Sequence, residues 1–138
     1  MLSKKILTVM VMILTLSACA TDPAAQAKRD EAVVAQRAAE RWDLLIQGRL
    51  ESAYEYLTPG YRAATPYSHY QKSVKGRGLW QGATVESVKC EPEACDVKIK
   101  LNLLIHYPLM RKAVHTDTEM QERWIKGQDG VWGFLPTE

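Results

Sequence analysis

From Cys95 to Tyr107 apolar residues hold every odd position: Cys95, Val97, Ile99, Leu101, Leu103, Ile105 and Tyr107. The even positions carry Asp96, Lys98, Lys100, Asn102, Leu104 and His106. Successive side chains of a strand point to opposite faces, so this run reads as one long strand with a wet side and a dry side. Such a strand needs paired neighbours to bury its dry face. Residues 83–90 are the expected hairpin partner, through the turn Glu91-Pro92-Glu93-Ala94, and Pro108 ends the long strand. Residues 114–126 alternate again, with Val114, Thr116, Thr118, Met120 and Trp124 on one side and His115, Asp117, Glu119, Gln121 and Arg123 on the other. Gln128-Asp129-Gly130 signals a turn into a last strand, residues 131–135.

Ahead of the strands the period is helical. Over residues 30–47, Val34, Ala38, Trp42 and Leu45 fall four, four and three apart, with Arg37, Glu40, Arg41 and Asp43 on the wetter side. Asp30 stands where an N-cap belongs and Gly48 where the helix should stop. Leu50, Ala53, Tyr54 and Leu57 describe a second helix, ended by Thr58-Pro59-Gly60. Thr65-Pro66 offers an N-cap followed by proline in the first turn, starting a third helix through Val74. Residues 75–78 form a basic, glycine-bearing loop. Three N-terminal helices followed by about four antiparallel strands is an α+β plan.

Composition fits one globular domain: 138 residues, 46% hydrophobic and 25% charged. The formal charge of +2 resides in Lys4 and Lys5, since the rest of the chain has as many acidic as basic residues. A neutral body has no field to gather nucleic acid, and none is expected as a partner.

The chain opens with Lys4 and Lys5, then an apolar run from Ile6 to Leu16 broken by Thr8 and Thr15. A membrane-spanning helix needs about 20 apolar residues, so this run suits a secretory leader better than an anchor. It ends in Leu16-Ser17-Ala18-Cys19, which resembles the lipobox of bacterial lipoproteins. That resemblance implies cleavage before Cys19, a diacylglyceryl thioether on its sulfur and an acylated amine. Several acyl chains hold a protein on a bilayer effectively permanently. Ala20 stands where enteric lipoproteins retained at the inner membrane carry Asp. The resemblance therefore implies the outer membrane, facing the periplasm. Residues 1–18 are read as the leader, 19–29 as lipidated cysteine and tether, and 30–138 as the domain.

With Cys19 assigned to lipid, Cys90 and Cys95 remain. His69, His106 and His115 are scattered, so no zinc site and no cofactor is expected. In an oxidising periplasm the two cysteines read as a short disulfide across a turn.

The run from Trp42 through Gly48, Ala53-Tyr54 and Pro59-Gly60-Tyr61-Arg62, and the ending from Glu122 to Phe134, resemble nuclear transport factor 2-like domains of bacterial envelopes. The resemblance implies a strongly curved sheet wrapped around the helices, a cone with a pocket at its open end. Such domains are often dimeric through the outer sheet face. Enzymes of that superfamily, among them ketosteroid isomerases and polyketide cyclases, place an Asp or His base with hydrogen-bond donors inside the cone. Proton abstraction beside a carbonyl needs both. Asp43 and His69 are the candidate catalytic groups here, but neither matches a family motif. Tyrosine and tryptophan combine apolar bulk with a polar tip; Tyr61, Tyr70, Trp80 and Trp132 are the expected ligand-binding residues. The leading reading is a non-catalytic module for an envelope protein or a small apolar ligand. The alternatives are a small lyase or isomerase, and a structural subunit of a secretion or conjugation assembly.

Overall fold

The computed structural model describes residues 22–137. Cys19, the leader and the first part of the tether lie outside them.

Helix α1 runs Pro23–Ile46, seven residues longer at its start than the periodicity implies. Asp22 is its N-cap, accepting from the Ala24 amide at 3.1 Å, with Pro23 in the first turn. Residues 23–29 are thus helix, not tether, and Asp30 is not a cap. It faces inward from the body of the helix, on the buried stripe of Asp30, Val34, Ala38, Arg41, Trp42 and Leu45. Gly48 ends the helix at a positive φ of 76°, where a side chain would be strained.

Helix α2 is shorter than expected, Leu50–Tyr54. Pro59 disfavours helical geometry in the residue before it. Residues 56–58 leave the helix and hydrogen-bond to Phe134, its amide donating to Tyr56 O and its carbonyl accepting from Thr58. The sequence reading missed α3, Pro59–Ala64, although Thr58 caps it in the same Thr-Pro pattern noticed at Thr65-Pro66. Helix α4 is Tyr67–Ser73, with Pro66 rather than Thr65 at its cap position. Four helices, not three, precede the sheet.

The strands are β1 (Trp80–Cys90), β2 (Ala94–Tyr107), β3 (Lys112–Lys126) and β4 (Trp132–Leu135). They form one antiparallel sheet in chain order. The chain is therefore α+β with a four-stranded antiparallel sheet. Two register shifts interrupt β1, between Trp80 and Gly82 and between Val85 and Ser87. Bulges of this kind bend a strand and increase its twist.

The alternation in β2 holds from Cys95 to Asn102 and fades beyond, where Leu103, Leu104 and Ile105 are all half-buried and Tyr107 is exposed. Cys95, Val97, Ile99 and Leu101 are buried under α1 beside Trp124 and Trp132. The opposite face carries a ladder of ion pairs: Lys98 with Glu86 and Glu119, Lys100 with Asp117, and Arg123 with Asp96. Asn102 also donates to Asp117. Past Leu101 helix cover thins out, and the hairpin carries its tip, Pro108–Met110, into solvent with Leu109 fully exposed. Cys90 and Cys95 sit opposite each other in the register and are disulfide-bonded.

Candidate functional site

Helix α1 crosses the inner face of the sheet and brings Arg41 and Trp42 over β3. The buried Glu122 carboxylate accepts from Arg41 Nη1 and Trp42 Nε1, both at 2.8 Å, and from Trp124 Nε1 at 3.0 Å. Glu122 is 4% exposed and Arg41 5%. The Arg41 guanidinium also lies 4.0 Å over the Phe134 ring. A buried ion pair best offsets its desolvation when hydrogen bonds satisfy its remaining sites. Glu122 meets that condition. Arg41 does not, because its Nε is buried with no partner among the described residues.

Beside this pair a cleft of about 180 Å³ lies between the helices and the sheet. Its apolar walls are Trp42, Leu45, Val74, Trp80, Met120 and Phe134. Its polar lining is Arg41, Tyr61, Tyr70, Ser73, Lys75 and Glu122. Trp42 and Trp80 meet edge to face, ring centres 5.3 Å apart. Tyr70 is carried there by α4 and is 3% exposed. Tyr54 fixes α4 in place: its hydroxyl donates to the Thr65 carbonyl at 2.7 Å, with the Arg62 carbonyl 3.1 Å away, and its ring packs on Tyr67 and Tyr70. The Tyr70 hydroxyl itself has no hydrogen-bond partner among the described residues. Burial pushes its phenol above the ordinary range; the charge of the adjacent Arg41 and a hydrogen-bond interaction with its side chain, too long or bent for a full hydrogen bond, act in the opposite sense.

The structure brings together three of the four aromatic residues singled out in the sequence: Tyr61, Tyr70 and Trp80 all line the cleft. Trp132 does not. It is buried at the other end of α1, where its indole donates to Asp30 at 3.3 Å and its carbonyl accepts from Arg37 at 2.8 Å. Asp43 and His69 are both exposed, and neither lines the cleft. The sequence reading also put Arg41 on the wet side of α1, and there the structure corrects it. Arg41 follows Val34 by seven residues and precedes Leu45 by four, so it lies on the buried stripe. Glu122 had its own signal, the inward parity between Met120 and Trp124.

Comparison of the chain with family models, curated proteins and solved structures gives no match.

A larger groove of about 670 Å³ lies at the start of α1, between Pro23, Asp30, the disulfide turn and Lys126. Its charged floor is already paired. Asp30 accepts from Gln26 at 3.1 Å, from Trp132 and from Lys126 at 3.4 Å. Burial raises the Asp30 carboxyl, but these donors and the Lys126 charge outweigh it and leave the group below the ordinary carboxylate value. Among the described residues no cluster of three metal-ligating side chains occurs, and no helix is long and apolar enough to cross a membrane.

Proposed function

We propose that the protein is a lipoprotein, held through Cys19 on the periplasmic side of the outer membrane, whose domain binds a small molecule without transforming it. The domain is read as a nuclear transport factor 2-like cone. The α+β order and the bulged first strand against α1 support that reading. The observation that carries the binding function is the cleft itself. It is walled by aromatic rings and keeps buried polar atoms of Arg41 and Tyr70 without partners. Folded proteins rarely leave buried donors unmade, and a bound molecule is one way to complete them.

The alternative of a lyase or isomerase loses support from the positions of Asp43 and His69, both outside the cleft. Glu122, the carboxylate that does line it, already accepts three hydrogen bonds. An outer-face dimer would have to form across the ion-pair ladder; sedimentation of the delipidated domain tests it. An envelope protein partner remains an alternative occupant of the domain's surface.

Two measurements test the proposal. Labelled palmitate should enter the wild-type protein and not Cys19→Ser, and the variant should move from the membrane to the soluble periplasmic fraction. Soluble wild type without label would overturn the anchoring. A thermal-shift panel of small molecules with apolar bodies, neutral and acidic, should raise the melting temperature of the wild type for some members; a flat response across the whole panel would overturn the binding function.

A further inference from the structure

The unpartnered atoms of the cleft define the chemistry of what would fill it. Tyr70 Oη and Arg41 Nε are both hydrogen-bond donors, and each exposes less than 1 Å². The third buried atom without a partner, Arg62 Nε, lies apart on a side chain paired with Glu55. Of the charged groups lining the cleft, Arg41 and Lys75 are cations and Glu122 is the one anion. Glu122 is neutralised by Arg41 and held by two indoles, so the positive charge of Lys75 at the mouth is uncompensated within the cleft. The surrounding walls are aromatic and aliphatic. About 180 Å³ is slightly more than an apolar cavity of about 150 Å³ that holds benzene.

Resting on the reading of this cleft as a binding site, we infer that its ligand is a small carboxylic acid with a planar or compact apolar body. The body lies against Trp42 and Trp80, and the carboxylate accepts from Tyr70 Oη and Arg41 Nε. A carboxylate accepts several hydrogen bonds and donates none, which matches two donors facing one region. Charge-assisted bonds of this kind are stronger than neutral ones, and stronger still away from water. Both atoms are covered in this structure, so a lining side chain such as the half-buried Tyr61 must move when the ligand enters.

Benzoate and toluene are the probes, equal in ring and different in the carboxylate. Binding is followed by tryptophan fluorescence and by chemical-shift changes of the indole protons, in the wild type and in Tyr70→Phe. Tyr70→Phe keeps the ring packing on Tyr54, and its thermal melt checks that it is folded. The expected result is saturable benzoate binding to the wild type, at least tenfold tighter than toluene, with at least a tenfold loss for benzoate in Tyr70→Phe and little change for toluene. Toluene binding as well as benzoate, or benzoate binding unaffected by Tyr70→Phe, would overturn the carboxylate inference and leave the binding function standing. Binding of neither probe would overturn the inference, and a flat response across the wider panel would take the binding function with it.

Discussion

Two buried polar groups under the same helix end differently. At the start of α1, Asp30 gathers Gln26, Trp132 and Lys126, so that both carboxylate oxygens have a partner. Three turns along, the Arg41 and Glu122 pair satisfies the carboxylate fully, yet Arg41 Nε and the neighbouring Tyr70 hydroxyl stay unmet. The first arrangement ties the helix to the last hairpin beside the disulfide. The second borders an aromatic cleft. A completed network specifies a fold; an incomplete one costs stability in the empty protein and is retained where something else completes it. Under the proposed binding function, the contrast separates a structural end of the domain from a ligand-binding one.

Glu122→Ala should give the largest effect, a loss of about 3–5 kcal/mol in urea denaturation, because it strands the Arg41 charge in the interior. A loss under about 1 kcal/mol would mean that the pair is hydrated and the cleft end is not a closed site. Replacing Cys90 and Cys95 together by alanine removes a short loop closure and should cost about 2 kcal/mol. Benzoate affinity should be unchanged in that variant, because the clasp belongs to the other end.

Asp30→Asn should cost about 1 kcal/mol at neutral pH, since the amide oxygen still accepts from Trp132 while the charge facing Lys126 is lost. Its pH dependence is the sharper readout. The Asp30 carboxyl titrates in the folded protein below its ordinary value of 3.8, so its contribution is complete above that pH and is lost as pH falls through the lower folded value. Wild-type stability should therefore drop more steeply below about pH 4 than that of Asp30→Asn. Parallel curves would show that Asp30 is not held by its partners.

Much of this architecture can be read from the residues, and the misses have a common physical cause. Strand alternation placed Val97, Ile99 and Leu101 inside because a period of two leaves only two faces to choose from. Tyr61, Tyr70 and Trp80 were legible as cleft residues because they stand outside any apolar stripe. Trp132 misled, since a tryptophan in a final hairpin reads the same whether its indole meets solvent or a buried carboxylate. Asp30 was read as a helix cap and Arg41 as a surface group for a related reason: burial of a charge depends on partners 81 to 102 residues away, which helical spacing does not reveal. Helix α3 escaped because α2 was extended through Leu57, whose backbone instead bridges to Phe134. Gly133 makes that approach possible, as a side chain there would meet Thr58 Cα at 3.0 Å.

The most direct test of the contrast is the thermal stability of Tyr70→Phe in buffer free of small carboxylic acids. Removing a buried hydroxyl that has no partner removes an uncompensated desolvation cost, so the melting temperature should equal or exceed that of the wild type. A fall of about 5 °C or more, the signature of a lost hydrogen bond of about 1 kcal/mol, would show that the hydroxyl is already paired and that the cleft has no donor waiting for a ligand.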